Sequence, residues 1–241
     1  MTYDGLDERS LARLLAAPFV VARSTLPSTL DLAHQLGATS APSGSVVLAD
    51  EQTAGRGRQG RTWHSPAGAG VWMAVLLRPA RPPRGGALAI RAGLALVEAV
   101  AEAAPELAPR LKWPNDLIVA GLKAGGVLCE ARWSGDQLGW VAVGIGINVK
   151  GRVAAAVRDR AIALADVAPG VTRLGLATAL VPRLARLGAL PPELDQAERE
   201  RFVAVSWSGG AGEPQAVGLD SDGALLVRAA NGELDRRVIA S

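Results

Sequence analysis

Gly55-Arg56-Gly57-Arg58-Gln59-Gly60-Arg61 sets three permanent, fork-shaped cations among three residues that have no side chain. The glycines leave φ free to take either sign and offer nothing to pack. The arginines present donors shaped for phosphate and carboxylate. Such a run suits neither a hydrophobic core nor a helix interior, so it reads as a loop that closes on an anion. No Asp or Glu occurs between Glu51 and Glu98, while Arg78, Arg81, Arg84 and Arg91 follow. Nothing acidic nearby in the sequence neutralises the loop.

The spacing Gly55-x-Gly57-x-x-Gly60 formally matches a dinucleotide fingerprint, but the context does not. That fingerprint opens a helix and is followed about 20 residues later by an acidic ribose ligand. Here Thr62-Trp63-His64-Ser65-Pro66 follows, with Gly68 and Gly70 beyond, and the acidic residue is missing. No Gly-Lys-Ser/Thr of a Walker phosphate loop is present either. Taken alone, the run also fits an ordinary flexible basic loop.

It does not stand alone. Gln52-Thr53-Ala54 precedes it, and Lys112-Trp113-Pro114-Asn115-Asp116, Gly121-Leu122-Lys123-Ala124-Gly125-Gly126 and Gly144-Ile145-Gly146-Ile147-Asn148-Val149 follow. In this order and at these separations the segments resemble the signature of biotin–protein ligases. The resemblance runs from about residue 28 to residue 149, with a weaker echo in the last forty or so residues. It implies an α+β catalytic domain of the class II synthetase-like kind, a mixed, largely antiparallel sheet flanked by helices. A small C-terminal SH3-like β-barrel should follow.

Composition sets wider bounds. The chain has 241 residues, 49% of them hydrophobic, 20% charged and 4% aromatic. That suffices for one good-sized core with a small appendix. No apolar run approaches the length of a bilayer span. Residues 1–10 carry Asp4, Asp7 and Glu8 and lack the basic-then-apolar pattern of a signal peptide. The single cysteine, Cys129, rules out an intramolecular disulfide and argues against a cysteine-based zinc site. The expectation is a cytoplasmic protein with no membrane association. A net charge of +3 is too slight to imply nucleic-acid binding; what matters is that the basicity gathers around the glycine-rich loop.

The coarse pattern predicts a short amphipathic helix over 9–17, a second helix capped by Ser28 or Thr29, and buried strands at 46–49 and 71–77. A long buried helix should cover 86–104, with further strands at 117–119, 126–130 and 139–147. Residues 173–187 read as a helix that Pro182 should kink or divide, and a charged helix should run over 193–203. Beyond, Gly209-Gly210, Asp222-Gly223 and Asn231-Gly232 punctuate short apolar runs, as in an antiparallel meander. This places a catalytic unit at 1–203 and a short β unit at 204–241. Too few residues precede Ser28 for an N-terminal helix-turn-helix, so no sequence-specific DNA binding is expected.

The resemblance assigns a two-step chemistry. A biotin carboxylate attacks the α-phosphate of ATP, and a lysine amine of a biotin carboxyl carrier protein then attacks the resulting acyl-adenylate. The first step brings two anions together, so charge neutralisation, alignment and water exclusion should dominate. By resemblance, Lys123 reaches the biotin carboxylate and the α-phosphate. Arg56, Arg58 and Arg61 hold the adenylate and triphosphate, with Arg58 retaining the intermediate. The Gly55–Arg56 backbone and Gly126 line the biotin pocket. Ser28, Thr29 and Gln52 hydrogen-bond the ureido ring, a matched polar pocket of the kind that rejects near-isosteres. Trp63 packs against the ligand or adenine, or else simply fills core, and His64 faces solvent.

Asp116 orients the incoming amine and accepts its proton, a step needed because free lysine has a pKa of about 10.4. Asn115 positions phosphate or metal-bound water, unless it serves only an Asx turn into 117–119. Lys112 meets the phosphates, and Asn148 reads the adenine or ribose. Mg²⁺ is implied by the triphosphate, with no dedicated metal ligands assigned. Two departures from the family pattern stand out. Leu30 follows Ser28-Thr29 where Asn is usual, and Lys-Ala-Gly-Gly replaces Lys-Leu-Ala-Gly, which should loosen the wall behind the biotin ring. Lipoate or octanoate transfer and an inactive nucleotide-binding homologue remain the rival readings. Monomer and homodimer are both open.

Overall fold

A computed structural model describes all residues except 1, 152, 155–156, 158, 210–215, 229–232 and 240–241. Its centre is a seven-stranded sheet of β1 (Val20–Leu26), β2 (Val46–Gln52), β3 (Gly70–Leu77), β4 (Arg110–Lys112), β5 (Asp116–Val119), β6 (Leu122–Ser134) and β7 (Gln137–Asn148). The spatial order is β1-β2-β3-β7-β6-β5-β4. Only β1 and β2 run parallel; every other neighbour pair is antiparallel. The mixed sheet expected from the motifs is therefore the sheet observed.

The two faces of the sheet differ in side-chain size, and this decides where helices and site lie. One face presents Val71, Met73, Val75, Val127, Val143, Ile145 and Ile147 to the main core, under α3 (Ala87–Ala103) and α4 (Arg173–Arg186). The opposite face carries Ala74, Ala142, Gly144 and Gly146. There α2 (Thr29–Ala38) lays Leu30 and Ala33 on the small residues, with Leu30 against Gly144. Leu30, 3% exposed, is thus consumed by packing beneath its own helix.

Several boundaries differ from the sequence expectation. β1 went unpredicted because only its first three residues are buried; Arg23-Ser24-Thr25 face outward. It is an edge strand whose Ala22 N–H is taken by Glu8 Oε1 at 2.9 Å, from α1 (Glu8–Leu14). That satisfies a donor which would otherwise invite further pairing. β4 is only three residues long, too short for a periodicity to register. β6 and β7 extend well past the predicted runs into a projecting hairpin turned at Gly135. Lys123 lies inside β6, which begins before the expected strand at 126, because Ala120 and Gly121, both at positive φ, already make the turn from β5.

Pro182 does not divide its helix; α4 runs unbroken over Arg173–Arg186. Thr178, whose carbonyl a residue-182 N–H would normally reach, still takes part in the helix through its hydroxyl, bonded to Leu174 O at 2.8 Å.

The chain then enters α5 (Gln196–Val205) and a three-stranded antiparallel sheet of β8 (Ala216–Leu219), β9 (Leu225–Arg228) and β10 (Leu234–Arg237). This small sheet is consistent with an SH3-like unit. The Asp222-Gly223 turn is present, whereas residues 210 and 231–232 of the other two expected turns lie outside the described residues. The turn does more than reverse the chain. Asp222 O accepts from Gly86 N at 2.7 Å, and Gly223 O accepts from Trp113 Nε1 at 3.0 Å. The small sheet is thereby tied to the start of α3 and to the Lys112–Asp116 segment.

Candidate active site

The Gly/Arg run is a miniature hairpin rather than an open loop. Trp63 N donates to Gly55 O at 2.8 Å and Gly57 N to Arg61 O at 2.7 Å, with Arg56 bridged to Thr62 between them. The tip, Arg58–Gly60, is a single 3-10 turn in which Gln59 and Gly60 take φ of 57° and 69°. Gly55 is irreplaceable on steric grounds: a Cβ there would lie 2.8 Å from Ser65 Oγ and press into Trp63 O. Arg58 is half-buried and Arg61 exposed, with Arg61 donating to Gln59 Oε1 at 3.2 Å.

Beside this hairpin lies a buried polar cluster. Gln52, at the end of β2, accepts from Thr29 N at 2.8 Å and Thr29 Oγ1 at 3.0 Å, and donates to Ser65 Oγ at 2.8 Å. Because Thr29 N is only a donor, the amide orientation is fixed. The carbonyl is filled, and one Nε2 hydrogen is uncommitted among these bonds. Ser28 caps α2 by accepting from Leu30 N. The cap reading and the pocket reading of Ser28 and Thr29 are thus compatible.

Lys123 and Asp116 meet across β5 and β6, Nζ to Oδ1 at 2.6 Å. A bulge makes this possible: Leu117 pairs with Gly125 but Ile118 pairs with Lys123, leaving Ala124 as the extra residue. The insertion resets side-chain parity. Ala124 turns into the main core, and Lys123 comes to the same side as Gly126, whose added Cβ would lie 3.7 Å from Lys123 Cε. Trp63 closes the group. Its ring centroid is 5.2 Å from Lys123 Nζ, and the indole rests on Gly146, leaving Nε1 buried with no hydrogen-bond partner.

The remaining candidates bind protein groups. Asn115 is buried and donates from Nδ2 to Val127 O at 2.6 Å, while Val127 N returns a bond to Asn115 O at 3.0 Å. It locks the turn that delivers Asp116. Asn148, at the end of β7, donates to Ile162 O at 3.3 Å. Lys112 Nζ stands 4.6 Å over the Trp207 ring. His64 is exposed.

Arg56 is where the sequence misled. Its guanidinium is neutralised by residues distant in sequence, Asp31 at 2.7 Å and Glu130 at 3.3 Å. Burial works against the Arg56 charge, but the two carboxylates outweigh it and raise the pKa. Glu130 is held down to about 2, first by the hydrogen bond from His34 and then, against the cost of burial, by Arg56. No local pattern marked Asp31, His34 or Glu130 as neighbours of the loop; only the tertiary fold assembles them.

Residues 21–148 match the biotin/lipoate A/B protein ligase family. The chain belongs to that family. Both the Gly/Arg hairpin and the Lys123–Asp116 pair fall within the matched span. The bifunctional ligase/repressor BirA of Bacillus subtilis is 44% identical over 131 residues, covering 54% of this chain and 40% of that protein. The biotin–[acetyl-CoA-carboxylase] ligase of Mycobacterium tuberculosis is 36% identical over 159 residues, 60% of this chain and 56% of that one. The chain therefore spans about half the length of these curated relatives. Among solved structures, the biotin protein ligase from Aquifex aeolicus in complex with biotin and ATP aligns with a TM-score of 0.73 at 26% identity, covering 91% of this chain and 95% of that one. No helix of the described residues is long and apolar enough to cross a membrane.

Proposed function

We propose that this family member is an ATP-dependent biotin–protein ligase. It would join biotin and ATP into biotinyl-5'-AMP with release of pyrophosphate. It would then transfer the biotinyl group to a lysine of a biotin carboxyl carrier protein, releasing AMP and a proton. The observation that carries this reading is the cluster of Lys123, Asp116 and Trp63 on the glycine floor of Gly126 and Gly146, flanked by the Gly/Arg hairpin. A cation on a small-residue floor is where two anions can be brought together with little reorganisation.

In the first step Lys123 leaves Asp116 for the substrate carboxylate and the α-phosphate, and stabilises the charge that develops between them. Arg58 and Arg61, on the hairpin tip and its return strand, hold the phosphates and then the adenylate. The polar cluster of Ser28, Thr29 and Gln52 takes the ureido ring, for which Gln52 has an N–H to give. The Gly55–Arg56 backbone forms the pocket edge, and Lys112, Asn115 and Asn148 flank the nucleotide. Magnesium enters as part of the Mg-ATP substrate. Among the described residues no cluster of three or more His, Cys, Asp or Glu forms a resident site.

In the second step Asp116, released from Lys123, accepts the proton of the attacking amine. Water exclusion by the hairpin protects the mixed anhydride meanwhile. Residues 1–203 would form the catalytic unit and 204–241 the SH3-like unit. The ATP requirement fits a cytoplasmic location.

The test is a mass-spectrometric search for acyl-adenylate after incubation with Mg-ATP and either biotin or lipoate. Biotinyl-adenylate that disappears in Lys123→Ala supports the reading. Lipoyl-adenylate would transfer the chain to the sister activity, and neither product from a folded sample would make it an inactive homologue.

A further inference from the structure

Arg56 sits in the Gly/Arg hairpin, yet its surroundings are wrong for a phosphate ligand. Asp31 and Glu130 both face it, and Arg132 lies 3.8 Å from Glu130, so the guanidinium of Arg56 is already matched by two carboxylates in a cluster of two cations and two anions. A phosphate arriving here would have to displace two charge-assisted hydrogen-bond partners and then sit beside them.

Glu130 is itself fixed from behind. Trp140 Nε1 is only a donor, and it lies 3.0 Å from His34 Nδ1, so that nitrogen carries the lone pair. The other ring nitrogen, Nε2, then donates to Glu130 Oε2 at 2.9 Å, so the ring is oriented from both sides. Trp140 is immobilised in turn. It packs on Gly37, where an added Cβ would fall 2.5 Å from the indole, and Arg78 lies 5.7 Å from its ring centroid. Arg78 is tied by its own donations to Gly37 O and Ala41 O. The chain of contacts therefore runs from the packed interface of α2 and β7 outward to the hairpin stem.

We propose that Arg56 is the anchor of the hairpin rather than a nucleotide ligand, and that Glu130, oriented by His34 and Trp140, is the positioning residue that holds it. The stem stays fixed while the tip, carrying Arg58, moves about it. This inference rests on the ligase reading for its catalytic consequence, but not for its structural one.

A double-mutant cycle on the full chain separates the roles, using Arg56→Ala, Glu130→Ala and the pair. In the ligand-free protein, trypsin cleavage after Arg58 and Arg61 should accelerate roughly three- to ten-fold in either single variant, and no further in the double. With Mg-ATP and biotin, both single variants should raise the KM for ATP and shorten the lifetime of the bound adenylate to a similar extent. A phosphate-binding Arg56 gives the opposite sign at one corner. There Glu130→Ala would free the guanidinium and lower the KM for ATP while Arg56→Ala raised it.

That opposite sign, or wild-type cleavage rates in both single variants, overturns the proposal. Should Glu130→Ala not fold, the isosteric Glu130→Gln with the half-exposed Asp31→Asn reports the same comparison. The proteolysis arm needs no substrate, so a chain that makes no adenylate would sink the ligase reading and still decide the anchor.

Discussion

Lys123 Nζ and Asp116 Oδ1 lie 2.6 Å apart because a bulge at Ala124 brings the lysine to the carboxylate's side of the sheet. On the proposed ligase reading the pair is a resting lock: the charge that a substrate carboxylate would need is engaged by Asp116 until the substrate arrives. On that reading Asp116→Asn removes both the lock and the proposed proton acceptor, so the two half-reactions should separate. Acyl-adenylate formation should persist within roughly ten-fold. Transfer to the carrier lysine should fall by about 10² to 10⁴, the usual contribution of a positioned base. Single-turnover assays of each half-reaction measure this, and equal losses in both would remove the base role.

The glycine floor gives a second expectation. A Cβ on Gly146 would fall inside van der Waals contact of Trp63 Nε1 and Cε2. Gly146→Ala must therefore push the indole off β7 and away from Lys123. Overpacking of this kind costs about 1–3 kcal/mol. Urea unfolding should show that loss, and the adenylate should dissociate faster than from the parent chain. An unchanged adenylate lifetime would mean that Trp63 serves only to fill space.

The motifs carried in the sequence were local ones, and so were the features they revealed. The Ser28 cap and the short turn before Asp116 each depend on a few adjacent residues, and each appears where expected, whereas the Gly/Arg run read as a loop is closed into a hairpin. What escaped reading depended on tertiary partners. The carboxylates on Arg56 come from α2 and β6, 25 and 74 positions away, so the absence of acidic residues near the loop carried no information about its neutralisation. Leu30 shows the same limit from the other side. It departs from the family pattern next to Ser28 and Thr29, and only the fold shows that its side chain packs on Gly144 beneath α2. The bulge at Ala124 left no sequence signal, since Lys-Ala-Gly-Gly gives no hint of which strand residue is extra.

Acid sensitivity follows from Glu130. Its carboxyl is held at about 2 against an ordinary 4.5, with the His34 hydrogen bond the largest cause. A depressed carboxyl pKa contributes stability that is fully present above about 4.5 and is lost as pH falls toward 2. Glu130→Gln should therefore unfold with a flatter pH dependence across that window, the difference from the parent chain vanishing at its acid end. Asp7 and Asp220 are also held low, but their contributions are common to both proteins and cancel in the comparison. Parallel stability curves from pH 5 to about 2 would show that Glu130 is not specifically held in the folded state.

Arg91 and Glu198 make the tightest buried ion pair joining the sheet-packed helices to the tail. Their side chains are 4% and 7% exposed, and Arg91 Nε lies 2.6 Å from Glu198 Oε1. Arg91 also donates to Pro191 O and Glu193 O, both at 2.6 Å, which fixes the entry to α5. Glu198 meanwhile completes a capping box with Asp195, accepting from its N–H at 2.9 Å and donating its own N–H to Oδ1 at 2.8 Å. Removing one partner leaves the other charged, buried and unpaired. Arg91→Met should therefore cost about 3–5 kcal/mol, whereas Arg91→Met with Glu198→Met should recover much of that loss, because desolvation of the pair offsets its attraction. Urea unfolding with unchanged m-values measures both. Hydrogen exchange should show the single variant opening first at α5 and β8, the elements that pack together at the tail. If the double variant is no more stable than Arg91→Met, the arginine's bonds to Pro191 and Glu193, not its charge pairing, hold α5 in place.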